Sequence, residues 1–340
     1  MRDWAGYWFY LLEQRGFPSQ MRFGKLTDRG EVSWLEIPHW QTDGVGAMTA
    51  LLRKDGYAID FPQVPHSRRP SFLKKLRGFY HYLRFAPVCG GKWKRFDPST
   101  SPKATRPLAF YVFSAKESYR IENHCQSRGF NTNSLLLWTL AHTLRDEFIE
   151  NGKPHYWMIP VNMRGTVRAP SMSANQSSCL WVDTRSAQSP SQIYAQIRQR
   201  LAQGFPWGCW FAVNIGRLVG VRGVENVFDY LKSVDDHWMA CFSNLGEWPS
   251  KEVWLAAPPV YDNSPLAALT IKSGGRIALI LQSHPGLTQD KELLQNWLDS
   301  WLRRFELYLA KCLLGLGCLK LGSKNASLTT PKLAPCRLQQ

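Results

Sequence analysis

The stretch "PHWQTDG" places His39 four positions ahead of Asp43, with Gly44 directly after it. An imidazole that titrates near pH 6.5 can take the proton of an alcohol or amine as that group attacks a carbonyl at neutral pH. Gly44 would let the chain turn tightly beneath the histidine, where a side chain would crowd it. A covalent route would need a serine or cysteine activated by a base. The sequence has no GxSxG elbow and no catalytic Cys/His signature.

Strands and helices must present that histidine. "GEVSWLEI" ends a buried strand just before it, and "GVGAMTALLRKDG" opens a helix just after, so His39 sits at a strand-to-helix junction. Upstream, residues 2–16 space Trp4, Tyr7, Trp8, Leu11 and Leu12 along one helical face, and residues 20–24 and 31–37 read as strands. Residues 57–106 are rich in Pro, Gly, Lys and Arg, with one helical insert at 71–84, and read as a crossover. Beyond it come the strand "PLAFYVF" and a helix with a Ser114/Glu117 capping box. The apolar helix "SLLLWTLAHTLRDEFI" and the strands "HYWMIPVNM" and "SSCLWVDT" follow. A helix over "SPSQIYAQIRQRLAQ", strands in "HWMACFSNLG", "LAALTIKS" and "RIALILQS", and a closing amphipathic helix complete the pattern. The alternation indicates an α/β fold with mixed sheet and no internal repeat.

Composition bounds the reading further. A chain of 340 residues with 44% hydrophobic and 20% charged residues has enough apolar matter for two lobes. No run approaches the roughly 20 apolar residues of a membrane span, and the start reads as neither signal nor anchor. The eight Cys (Cys89, Cys125, Cys179, Cys209, Cys241, Cys312, Cys318 and Cys336) form no CxxC pair. That argues against a structural metal and for reduced thiols in a cytoplasmic protein. The net charge of +16 suits phosphorylated co-substrates, acidic proteins, nucleic acid or anionic lipid alike. "FLKKLRGFYHYLRF" interleaves basic and aromatic residues, but no recognisable nucleic-acid module accompanies it.

In this order the segments resemble the chloramphenicol acetyltransferase-like superfamily. That superfamily holds nonribosomal peptide condensation domains, wax ester/diacylglycerol acyltransferases and alcohol acetyltransferases. "PHWQTDG" is similar to its HHxxxDG signature, with His39 at the second histidine and Pro38 in place of the first. "GFNTNSLLLWTLAHTL", "IPVNMRG", "ANQSSCLWVD", "FSNLG" and "PLAALTIKSGGRIALIL" resemble later family segments, over roughly residues 25 to 310. The resemblance implies a two-lobe fold with mixed β-sheets. Members carry a hundred or more residues before the motif, so the 38 here imply a reduced N-terminal lobe. The expected divisions are that lobe with its linker at 1–106, a C-terminal lobe at 107–310 and a tail at 311–340.

By resemblance, His39 is the general base and Asp43 is structural, pairing with an arginine, for which Arg164 and Arg185 are both candidates. Ser243 and Asn244 are the candidate oxyanion donors, a role worth roughly 3–4 kcal/mol per donor. The implied activity moves an acyl group from coenzyme A or a carrier-bound phosphopantetheine thioester to an alcohol or amine. No bound cofactor or metal is required, and an acidic acyl carrier protein is a candidate partner. The alternative is a catalytically inactive family remnant that binds or scaffolds. His124, His142, His155 and His237 read as packed or surface residues. Trp207 and Trp210 either line an acyl pocket or, more simply, pack the core. The tail from Leu309 onward mixes Leu and Lys and suits either an anionic membrane surface or a frayed helix end.

Overall fold

The computed structural model describes residues 2–27, 29–62, 70–85, 91–101, 103–149, 152–233 and 239–313. Helix α1 (Trp4–Gln14) starts at Asp3, whose carboxylate accepts the Gly6 N–H. Strands β1 (Gln20–Leu26) and β2 (Val32–Pro38) form an antiparallel hairpin, and α2 (Gly44–Lys54) follows, capped by Asp43. Helix α3 (Phe72–Phe85) is the insert within the crossover. Next come β3 (Leu108–Val112), α4 (Ala115–Ser127), α5 (Thr132–Thr143), β4 (Tyr156–Asn162) and β5 (Ser177–Asp183). Helices α6 (Pro190–Ala202), α7 (Phe205–Val213) and α8 (Gly216–Ser233) form a run, the last kinked at Gly220. The chain closes with β6 (Ala240–Trp248), β7 (Val253–Ala257), β8 (Leu266–Ser273), β9 (Arg276–Ser283) and α9 (Lys291–Leu313).

Two sheets result. The larger has the order β3-β9-β8-β6-β4-β5, with β4–β6 and β6–β8 parallel and the other pairs antiparallel. The smaller has the order β2-β1-β7 and is antiparallel throughout. Its third strand, "VWLAA", comes from late in the chain and was not foreseen. Thus the small sheet built by residues before 106 is tied into the segment after it.

Strands β8 and β9 show why this arrangement holds. Successive side chains of a strand point to opposite faces. Leu266, Ala268, Ile277, Leu279 and Leu281 pack with α5 and α9 in the main core, around Leu136, Trp301 and Phe305. The intervening Leu269, Ile271, Ala278 and Ile280 pack instead with Phe23, Leu255, Met48 and Leu52 of the small sheet and α2. Both faces are therefore buried, and the small sheet with α2 is clamped against the large one. The Ser114/Glu117 capping box is present at the start of α4. Helices α7 and α8 were not foreseen. Trp210 of α7 is a core residue, packed with Ala5 and Met163. The tail beyond residue 313 and His237 lie outside the described residues.

Candidate functional site

The site is assembled from the β2–α2 junction and the loop joining β4 to β5. Asn162 pairs with Ser177 at the last rung of that hairpin, so residues 163–176 form its loop. That loop grips Asp43. Arg164 Nη2 lies 2.7 Å from Asp43 Oδ1 and Nη1 lies 2.9 Å from Oδ2, a two-pronged pair with both side chains at most 1% exposed. Asp43 Oδ2 also accepts the Gln176 N–H (2.9 Å) and the Ser177 hydroxyl (3.1 Å), while Oδ1 accepts the Gly46 N–H (2.9 Å). Arg164 spends its remaining donors on the carbonyls of Met172 and Ala174 and on the Asn162 amide oxygen (3.3 Å). Every charge in the pair is thus answered, which is what a buried ion pair needs in order to persist.

Of the two candidate arginines, Arg164 holds Asp43. Arg185 lies after β5 and donates to the Lys153 carbonyl instead. Thr42 Oγ1 donates to the Ser173 carbonyl, and the Asn175 amide donates to the His39 carbonyl. The His39 N–H in turn reaches the Ser19 carbonyl (3.0 Å). The backbone of the motif is therefore pinned on both sides.

Glycine serves the site through space rather than through a turn. A Cβ on Gly44, the first residue of α2, would lie 2.7 Å from Leu245 Cδ2, so the crowding neighbour is β6 and not the histidine. A Cβ on Gly46 would overlap Thr42 Oγ1 and stand 2.8 Å from the Ser173 carbonyl oxygen.

His39 itself is half-buried. The Phe9 ring of α1 stacks on the imidazole with centroids 3.8 Å apart and planes at 11°. Its Nδ1 is fully buried and makes no well-formed hydrogen bond. Burial pushes the His39 pKa below the usual histidine value. Its own carbonyl, the Asp43 carboxylate, the Asn175 side chain and the Thr42 carbonyl oppose that shift less strongly. The imidazole is consequently neutral at pH 7, the state a base requires.

The α1 contribution was missed from sequence. Asp3 accepts both the Gly6 N–H and the Asn175 N–H, so the helix cap and the β4–β5 loop share one carboxylate. Burial raises the Asp3 pKa, with those two hydrogen bonds opposing. The aspartate immediately before an apolar helical run was the one available signal.

Ser243 and Asn244 lie on β6. Ser243 is buried opposite Leu269, and the Asn244 amide oxygen accepts the Gly246 N–H (2.7 Å) at a register shift. No hydrogen bond joins either to His39 among the described residues. Asn244 instead borders a cavity of about 220 Å³ with Asn133, Gly246, Thr270 and Lys272, and His39 is not part of its lining. The link between the two regions is Leu245, which touches Gly44. His142 Nδ1 lies 2.9 Å from the Trp138 carbonyl within α5, and His155 is buried beside Phe148. Among the described residues no group of three or more His, Cys, Asp or Glu side chains could hold a metal ion.

No protein-family model matches the sequence, and no curated protein does. Solved structures do match. The EpoB nonribosomal peptide synthetase cyclization–docking bidomain from Sorangium cellulosum aligns at 13% identity with a TM-score of 0.51. That alignment covers 80% of this chain and 59% of the bidomain. The nonribosomal peptide synthetase FmoA3 in its AMPPNP-bound form aligns at 13% identity with a TM-score of 0.53. Here 82% of this chain and 31% of that one are covered. The chain thus spans less than two thirds of each of these structures. With two sheets in this order and a match over four fifths of its length, the chain has the chloramphenicol acetyltransferase-like fold.

Proposed function

We propose that the protein is an acyltransferase that moves an acyl group from a coenzyme A or carrier-bound phosphopantetheine thioester to an alcohol or amine. The observation that carries this reading is the division of labour within "PHWQTDG". Asp43 is committed to Arg164, while burial holds the His39 ring below the usual histidine pKa and its Nδ1 makes no well-formed hydrogen bond. With the proton on Nδ1, beside the residue's own carbonyl, Nε2 offers its lone pair to the acceptor. As the acceptor oxygen or nitrogen attacks the thioester carbonyl, its proton passes to His39 Nε2. The tetrahedral intermediate then expels the thiolate, and the imidazolium returns the proton to sulfur. Ser243 and Asn244 remain the proposed oxyanion donors, with Asn244 requiring a turn of its amide toward the His39 side. The positive charge of the chain complements the phosphates of either donor. A cytoplasmic location fits a chain that draws on such donors.

A second reading is a non-catalytic relative that binds or scaffolds. It draws on the separation of His39 from the 220 Å³ cavity and on the Phe9 ring that covers one face of the imidazole. A panel of acyl-coenzyme A and acyl-carrier donors with pooled alcohols and amines, read by mass spectrometry of the acylated acceptor, separates the two. Product formation supports the enzyme; a folded protein that forms none across the panel supports the binder.

A further inference from the structure

Helix α3 is mounted with its apolar side outward. Phe72, Leu73, Leu76, Tyr80 and Leu83 are between 53% and 77% exposed. At about 100° per residue they fall within one arc of about 100°. The opposite face is the one that docks. A side chain at Gly78 would overlap the Gly204 carbonyl, and a Cβ on Gly208 of α7 would lie 2.6 Å from the Gly78 carbonyl oxygen. Tyr82, on the same inner side, packs on Phe205, and Phe79, at the edge of the outward arc, packs on Phe211. Backbone-to-backbone contact of this kind fixes the roll of the helix. The outward stripe is therefore held in place by the fold.

The charges around the stripe identify its occupant. Arg77 and Arg84 border the arc on one side and Lys75 on the other, where its ammonium lies 5.7 Å from the Trp207 ring. Between Asp60 and Asp97 the sequence contains no acidic residue and nine Lys or Arg. An apolar stripe with a tyrosine at its margin and basic flanks on both sides is the pattern of a helix lying in a bilayer interface, cations toward the headgroups. A second copy of the chain would set these basic flanks against each other. Nucleic acid would use the flanks and leave the apolar arc in water. Among the described residues no helix is long and apolar enough to cross a membrane, so the contact is peripheral.

We propose that α3 is a membrane-docking helix that binds anionic bilayers, inserting Phe72, Leu73, Leu76, Tyr80 and Leu83. The test is co-sedimentation of the full chain with phosphatidylglycerol/phosphatidylcholine vesicles, and with pure phosphatidylcholine vesicles. The expected result is binding to the anionic vesicles that falls at least about tenfold in the variant L73E/L76E and also in the variant R77E/R84E. The outward positions of these residues predict unchanged denaturation midpoints. The proposal is overturned by no binding by the unmodified chain, by binding that both variants retain, or by a solution dimer that L73E/L76E disperses while vesicles are ignored. Binding to single-stranded RNA that survives L73E/L76E, with no vesicle binding, would point to the basic flank alone and would also overturn it.

Discussion

Replacing Asp43 by alanine strands the Arg164 guanidinium in the protein interior. Arg164 is 0% exposed, and two of its five N–H donors point at Asp43. Removing one partner of a buried pair costs about 3–5 kcal/mol, because the other charge is left desolvated and unanswered. Loss of the α2 cap adds about 1 kcal/mol, and the Gln176 N–H also loses its acceptor. A domain of this kind is stable by about 5–15 kcal/mol, so the change consumes a large part of the margin. Guanidinium denaturation followed by tryptophan fluorescence measures it. With a slope on the order of 6 kcal/mol per molar, a combined loss of about 4–6 kcal/mol moves the midpoint down by roughly 0.7–1.0 M. Adding Arg164→Met to Asp43→Ala removes the stranded cation and should recover at least about 1 kcal/mol. A loss below about 1 kcal/mol in the single variant, or no recovery in the double, would refute the view that this pair anchors the motif.

Three further outcomes follow from the same geometry. Gly46→Ala, which helix propensity alone would favour, should destabilise by about 1–3 kcal/mol, because its Cβ meets Thr42 Oγ1 and the Ser173 carbonyl; thermal denaturation reads the sign. The pKa of His39 is lowered on folding, so the unfolded chain binds its proton first as pH falls. The stability contributed by the neutral ring is complete above pH 6.5 and is lost as pH drops through the folded value, and the acidic limb of any rate profile lies below 6.5. Nuclear magnetic resonance titration of the imidazole checks this directly. Phe9→Ala uncovers one face of the ring and should move that titration back toward 6.5, at a stability cost of about 0.5–1.5 kcal/mol.

The elements that carry the motif were legible because their signals are local. Pro38 closes a strand, Asp43 caps a helix, and "PVNMRG" and "ANQSS" flank one hairpin loop, so the partners of Asp43 are close to each other in sequence. What was hidden has equally physical causes. "VWLAA" is a short, uniformly apolar run, and nothing within it reports that it will pair with β1 some 230 residues earlier. "FPWGCWFAV" is apolar all round, so no helical period marks α7. The stack of Phe9 on His39 joins two segments thirty residues apart, and only the fold brings them together. The α3 insert reads as a helix in the sequence, yet that reading could not reveal which face turns outward; the Gly78–Gly208 contact decides that.

The central claim is that His39 removes the acceptor's proton. The most direct test compares thioester turnover by the unmodified chain and by His39→Ala, with equal denaturation midpoints as proof of an intact fold. Free coenzyme A or free carrier is read by chromatography, since the protein's own thiols would obscure a dye. General base catalysis is worth about 10²–10⁴-fold, so turnover should fall by at least about a hundredfold in the variant. Equal turnover by the two proteins would contradict the account.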